Sequence, residues 1–203
     1  MPKVYSIDGI VPVVHSSAFV HPSAVLIGDV IVGARAYIGP AACLRGDFGR
    51  IVVEEGANIQ DTCMLHGFPG KDTVVGAGVT VGHGAVLHGC VVRRGALIGM
   101  NCVVNDNAEV GEDAVVAALA FVKAEARIPP RTLVAGIPAR VLRELSDQEL
   151  KWKKDNVELY KELAVRSLTT MQEVEALTEI EPNRKRIDIP GAVPLSELKK
   201  KHG

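Results

Sequence analysis

Large aliphatic residues recur at every sixth position along most of the chain. This spacing is neither the 3.6-residue period of a helix nor the two-residue alternation of a long strand. It predicts a coil of short strands joined by tight corners, in which three units make one triangular turn and each aliphatic points inward. The series is Val14, Val20, Leu26, Val32, Ile38, Leu44, Val53, Ile59, Leu65, Val75, Val81, Leu87, Val92, Ile98, Val104, Val110, Val116, Val122, Ile128 and Val134.

Smaller residues follow the aliphatics at fixed places. The fourth residue after an aliphatic is usually alanine, which fits where the interior narrows. The residue directly after the aliphatic is often glycine, which we expect to allow the chain to turn at the corners. The fold class is therefore an all-β solenoid, a parallel β-helix of hexapeptide repeats; the left hand of the coil is implied by resemblance to known hexapeptide proteins. The glycines in question are Gly33, Gly39, Gly76, Gly82, Gly99 and Gly111.

The repeat divides the chain into three parts. A left-handed β-helix domain is predicted over residues 10–140. Ser146 and Glu149 have the spacing of a capping box, so we expect a C-terminal α-helix over residues 146–170, packed on the outside of the prism or on a neighbour. Residues 171–203 are charged and contain proline, which is typical of an extended tail.

Two insertions interrupt the period. Three extra residues enter between Leu44 and Val53, and four enter between Leu65 and Val75. Loops on a rigid scaffold tend to carry function, although neutral surface insertions are the alternative.

Composition narrows the function classes. Apolar residues make up 47% and aromatic residues 4%, so the core must be built from small and branched aliphatics. The formal net charge of -1 does not favour a nucleic-acid partner. No apolar run is long enough to span a membrane, and no signal pattern opens the chain, so we expect a cytoplasmic protein.

The four cysteines form no CxxC pair and are expected to be reduced, small apolar residues.

The period places two histidines together. Leu65 and Leu87 belong to one face in successive coils, so His66 and His88 point outward, one above the other, about 4.8 Å apart at the backbone. His83 lies near a corner on another face, where its own prism separates it from the other two. A neighbouring subunit would bring it in, and three-fold symmetry would close that contact into a ring. The sequence therefore predicts a homotrimer with a metal site at each subunit interface.

Three histidines with an open fourth position are typical of catalytic zinc, with iron or cobalt as alternatives. Zinc lowers the pKa of its bound water to about 7. Asp61 is expected one coil below His83, where it would orient that ring. Gln60 is a candidate to hold the metal-bound water, and Arg45 and Asp47 are candidates for a pair within or between chains.

Several of these segments resemble one family. Arg45-Gly46-Asp47, the segment from Asn58 to Asp61, His66 and the segment from Gly82 to His88 resemble the γ-class carbonic anhydrase family, over about residues 10–145. The resemblance implies a trimer with a metal at each interface. It also implies that His66, His83 and His88 are the ligands, that Gln60 contacts the metal-bound water, and that Arg45 and Asp47 serve the interface and the site.

Longer segments narrow the resemblance. His21–Asp29, Leu44–Val53 and Arg143–Leu150 resemble members of this family from phenylacetate degradation and from the carnitine operon. Phe48 and the tail favour the phenylacetate type, for which hydrolysis of CoA thioesters is implied. In the founding γ-class enzyme, acidic residues that shuttle protons stand where this chain has Phe48 and Pro69, and rapid CO2 hydration needs such a relay.

Four functions follow from these patterns. The leading hypothesis is metal-dependent hydrolysis of an acyl-CoA thioester by attack of metal-bound water or hydroxide. A carbonic anhydrase acting on CO2 and bicarbonate would use the same site. A hexapeptide acyltransferase would use a histidine as general base without a metal. A metal-stabilised scaffold would have no activity.

Overall fold

The computed structural model describes residues 2–189 and 197; the remainder of the expected tail lies outside the described residues. Short strands dominate residues 2–146. Their bounds are β1 Lys3–Tyr5, β2 Val13–Val14, β3 Phe19–Val20, β4 Val25–Val32, β5 Tyr37–Ile38, β6 Cys43–Val53, β7 Asn58–Ile59, β8 Met64–His66, β9 Thr73–Val75, β10 Thr80–Val81, β11 Val86–His88, β12 Val91–Val92, β13 Leu97–Ile98, β14 Val103–Val104, β15 Glu109–Val110, β16 Val115–Val116, β17 Phe121–Val122, β18 Arg127–Ile128, β19 Thr132–Gly136 and β20 Ala139–Glu144.

The strands form a triangular prism, and each of its three faces is a parallel β-sheet. The first face contains β1, β8, β11, β14 and β17, and the second contains β2, β9, β12, β15 and β18. The long strands β4 and β6 run around the corner between these two faces and pair with strands of both. The third face contains β3, β5, β7, β10, β13, β16 and β19, and β20 adds an antiparallel strand at its end. The predicted left-handed parallel β-helix with a C-terminal helix is thus confirmed.

The core is the stack of inward residues that the six-residue period predicted. Leu44, Leu65 and Leu87 lie in register on the first face and are fully buried. Alanines such as Ala85 and Ala114 fill the narrow parts of the interior. The interior of the prism contains no aromatic ring among the described residues; branched aliphatics fill it, with alanine and cysteine at its narrow parts.

The corners differ from the sequence-based expectation. The glycines that directly follow the aliphatics do not have positive φ; the left-handed position comes two residues later, as at Gly78 (φ 63°) and Leu119 (φ 63°). At Gly82 an added Cβ would lie 2.9 Å from the backbone nitrogen of Met100 in the next coil. The expectation that these glycines ease the corners is wrong. They are small because the backbone of the next coil passes directly over them.

A pair of glycine variants separates these two roles. At Gly99 an added Cβ would lie 2.4 Å from the Ala118 backbone nitrogen, whereas at Gly78 the nearest contact is 3.5 Å away. We expect Gly99→Ala to lower the free energy of unfolding by about 3 kcal/mol through overpacking. Gly78→Ala should cost only about 1 kcal/mol, because its cost is conformational. Denaturant unfolding measures both, and equal costs would contradict this account.

One helix follows the β-helix. Helix α1 spans Asp147–Thr170 and begins with the predicted capping box, in which the Ser146 hydroxyl accepts from the Glu149 N–H while the Glu149 carboxylate accepts from the Ser146 N–H. Residues 171–189 form neither helix nor strand and are exposed. The predicted division into a β-helix domain, a C-terminal helix and a tail stays a prediction as a set of separate domains. Within the described residues, no helix combines the length and apolar character needed to cross a membrane.

Helix α1 packs along the third face of its own prism. Tyr160 meets the ring of Tyr37, with the ring centroids 5.7 Å apart, and burial raises the pKa of Tyr160 to about 12. Nearer the start of the helix, the buried Lys153 ammonium donates to the Gly95 carbonyl and lies 3.1 Å from Asp113. These contacts hold α1 away from the first face, where the candidate site lies.

The cysteines behave as apolar residues. All four are free thiols, and Cys63, Cys90 and Cys102 are buried. Burial raises the pKa of Cys63 to about 11 and that of Cys90 to about 12, so neither thiol is ionised near neutral pH.

Candidate metal centre

The two histidines of the first face are neighbours, as the period predicted. His66 ends β8 and His88 ends β11, and the two residues are register partners in adjacent coils. Their rings face each other, with His66 Nδ1 3.0 Å from His88 Nε2. Because the register is fixed by the buried aliphatics beneath, the approach of the two rings is a direct product of the fold.

A carboxylate contacts the outer nitrogen of each ring. His66 Nε2 lies 3.0 Å from Asp47 Oδ1, and His88 Nδ1 lies 2.5 Å from Asp106 Oδ1. An ionised carboxylate only accepts hydrogen bonds, so each imidazole turns an N–H toward its carboxylate. In neutral rings, the two facing nitrogens then both carry lone pairs. Lone pairs 3.0 Å apart repel, so this arrangement favours a proton or a metal cation between them.

The donor set fits zinc. Zn–N bonds of about 2.0–2.1 Å in a tetrahedral site place two nitrogens about 3.3–3.4 Å apart. The facing nitrogens, 3.0 Å apart, would have to separate by only a few tenths of an ångström. Metal-bound histidines commonly donate their other N–H to a carboxylate, and both rings do so here.

The Arg45 guanidinium pairs with Asp47 inside one chain, at 2.6 Å. Burial raises the pKa of Asp47, but hydrogen bonds from Arg45 and His66 outweigh burial, and the pKa lies below its ordinary value. Asp47 is therefore ionised at neutral pH and able to accept from His66. Arg45 pairs in register with Ile27 of β4, and Asp47 lies just after it, at the start of the bulge of β6 where the pairing with β4 shifts register.

The other predicted site residues lie on a different side of the prism. His83 follows β10 on the third face, its side chain is 48% exposed, and its Nδ1 lies 3.0 Å from Asp61 Oδ2. The Gln60 Oε1 accepts from the His83 backbone N–H at 3.2 Å, and the Gln60 amide donates to Asn58. Within one protomer, Gln60 and Asp61 therefore accompany His83, and Arg45 and Asp47 accompany the histidine pair.

A single protomer does not complete the predicted ligand set. Across residues 2–189 and 197, no three histidine, cysteine, aspartate or glutamate side chains form a group that could hold a metal. His66 and His88 supply two ligands, and the prism separates them from His83. A three-histidine set would need His83 from a second copy of the chain, and this stays a prediction.

Sequence reasoning missed two contributors. Asp106 comes 18 residues after His88 and one residue past the position that the register places above His88, since Leu87 pairs with Val104, so the period did not point to it. Nothing in the sequence pattern pointed to Thr73. Its hydroxyl donates to the His66 carbonyl at 2.6 Å and accepts from the Gly89 N–H at 3.0 Å, which ties together the backbone segments that follow both histidines.

Comparison with known proteins supplies the family. No family model matches the chain. The carnitine operon protein CaiE of Salmonella newport is 55% identical over 183 residues, which cover 90% of this chain and 92% of the relative; CaiE of Salmonella heidelberg matches equally well. The chain belongs to the CaiE family. The preference for the phenylacetate type over this carnitine-operon family stays a prediction.

Solved structures extend the CaiE-family assignment. A Bacillus cereus protein provisionally described as an acetyltransferase has a TM-score of 0.81 and 35% identity, covering 83% of this chain and 99% of its own. A hexapeptide transferase family protein from Anaplasma phagocytophilum has a TM-score of 0.77 and 36% identity, covering 80% and 96%. These relatives confirm the predicted γ-class carbonic anhydrase-like hexapeptide-repeat family.

Asp106→Asn tests how the His88 ring is held. The amide would no longer accept from His88 Nδ1 with a full charge, so we expect zinc affinity to fall about 10- to 100-fold. Competition with a chromophoric chelator measures this affinity. Glu109→Gln is the matched control, because Glu109 pairs with Arg93 on the second face. Parental zinc affinity in Asp106→Asn would remove Asp106 from the site.

Proposed function

We propose that this chain is a metal-dependent hydrolase of an acyl-CoA thioester. The observation that carries the proposal is the facing pair of nitrogens on His66 and His88, each ring anchored by a carboxylate. In the proposed site, His83 of a neighbouring subunit supplies the third ligand. Zinc is the proposed metal, with iron or cobalt as alternatives, and the proposed location is the cytoplasm.

The outward residues of two faces support a homotrimer. Hexapeptide-repeat β-helix proteins commonly form trimers. Apolar side chains point outward on the face that carries His66 and His88 and also on the face that leads to His83, so packing one face on the other would bury both. A heterologous contact of this kind closes into a ring under three-fold symmetry. The residues are Val86, Val103 and Phe121 on the first face, and Leu97, Val115 and Leu133 on the third.

The residues of this chain would each have a defined task. Zinc, when bound, supplies a Lewis acid that activates water and stabilises negative charge on oxygen. Asp47 and Asp106 fix the tautomers of the two imidazoles, and Arg45 keeps Asp47 ionised. Asp61 would orient His83 in the same way, and Gln60, next to His83, is the proposed partner of the reacting water.

Phe48 and Pro69 stand where the founding γ-class enzyme has proton-shuttling acidic residues, and a CoA thioester substrate is compatible with their replacement. The thiolate of CoA is a good leaving group, so the reaction depends less on a fast proton relay than CO2 hydration does. The acyl group that we propose is one from phenylacetate breakdown. Because the relatives are carnitine operon proteins, a carnitine-linked acyl thioester is the alternative.

Acyl transfer is the second candidate, and the solved neighbours favour it. The two structures at 35% and 36% identity carry transferase descriptions. A transferase would use a histidine as general base and would need an acceptor but no metal. CoA release that requires an amine or hydroxyl acceptor and survives chelation would identify this function.

His66→Ala tests the hydrolase. Loss of one ligand should lower kcat/KM for thioester hydrolysis at least about 100-fold and reduce the bound zinc. Release of the CoA thiol and elemental analysis measure these effects, and chelation of the parent should reproduce them until zinc is restored. His15→Ala is the control, because His15 is exposed and its ring hydrogen-bonds to the nearby Ser17, far along the chain from the proposed ligands. A trimeric His66→Ala protein with the parental rate would exclude the mechanism.

A further inference from the structure

Each insertion in the repeat brings one phenylalanine against one of the paired histidines. Phe48, in the bulge of β6, has its ring centroid 5.6 Å from that of His66. Phe68, in the segment between β8 and β9, has its ring centroid 5.0 Å from that of His88, with the two rings 82° apart in an edge contact. The two aromatic rings thus border the facing nitrogens from two separate segments.

The Phe48 and Phe68 rings are both exposed, which is unusual for large apolar side chains in a chain with few aromatic residues. Phe48 is 58% exposed and Phe68 is 49% exposed. The chain has four phenylalanines, and the other two differ, since Phe19 packs in the aromatic cluster under α1 and Phe121 lies half-buried on the first face. A phenylalanine ring gains most by burial, so two half-exposed rings on one site leave apolar area that a ligand can cover.

The backbone holds the two segments against each other. An added Cβ on Gly49, the residue after Phe48, would lie 2.5 Å from the Phe68 carbonyl oxygen and 2.5 Å from that of Lys71. The Phe68 carbonyl also accepts from the Lys71 N–H at 3.1 Å, which closes a turn. Because Gly49 permits this close approach, the backbone segments that carry Phe48 and Phe68 lie directly against each other.

We propose that Phe48 and Phe68 form an apolar subsite for the acyl group of the thioester, beside the position at His66 and His88 where the metal is proposed to bind. This inference rests on the proposed hydrolase and names its substrate class: thioesters of medium-length aliphatic or aromatic acids. A short acetyl group would reach the nitrogens without covering the rings. The subsite therefore selects for larger acyl groups.

The test compares acyl groups on the double variant Phe48→Ala/Phe68→Ala. In the parent we expect hexanoyl-CoA and phenylacetyl-CoA to have higher kcat/KM than acetyl-CoA. In the double variant that ratio should fall about tenfold or more, chiefly through a higher KM for the two larger substrates, while the zinc content stays near the parental value. Ile180→Ala is the control, since it removes an exposed apolar side chain (84%) from the segment after α1. An unchanged ratio would overturn the subsite.

A binding measurement separates the subsite from the activity. Calorimetry of the zinc-loaded protein with hexanoate and with acetate should show tighter binding of hexanoate in the parent, and the double variant should lose that preference. If no thioester is hydrolysed but this loss occurs, the subsite stands and the hydrolase does not. If the double variant keeps the preference, or if it runs as a monomer where the parent is a trimer, the rings are not an acyl subsite.

Discussion

The parallel register of adjacent coils is the constraint on which the rest of the structure depends. The inward aliphatics are buried only if each coil lies directly on the last, and a slip of one residue would turn them outward. The same register makes His66 and His88 partners, because each follows a buried leucine by one residue. The free energy that stabilises the core therefore also places the two imidazoles side by side, and the Asp47 and Asp106 carboxylates then orient the rings.

The register also explains which parts of the molecule could be predicted from the sequence. Along a strand, side chains alternate between inside and outside, so the period was enough to predict the prism, the stacked histidines and the position of His83 on another face. At corners this alternation ends. The partnership of Asp106 with His88 depends on the direction of a corner side chain, and the contact of Phe68 depends on the path of an inserted segment, so neither could be derived from the period.

The glycine positions show a second limit. Sequence alone does not distinguish a glycine needed for its left-handed φ from one needed because another backbone passes close to it. The left-handed corners accept leucine, arginine and alanine, as at Leu119, Arg35 and Ala41. The glycines after the aliphatics face a backbone that leaves no room for a side chain. The constraint at these positions is therefore contact between coils rather than conformation.

The charges around His66 and His88 help to decide whether a proton or a metal cation would lie between their facing nitrogens. Asp47 and Asp106 place two negative charges behind two rings, and Arg45 offsets one of them. A shared proton would neutralise the remaining charge of this half-site. In the proposed trimer His83 arrives with Asp61, which adds another negative charge and another ring whose outer nitrogen faces a carboxylate. A divalent cation together with Arg45 then balances all three carboxylates, whereas a proton does not. The proposed assembly that would complete the ligand set is therefore also the one whose charge would favour a metal.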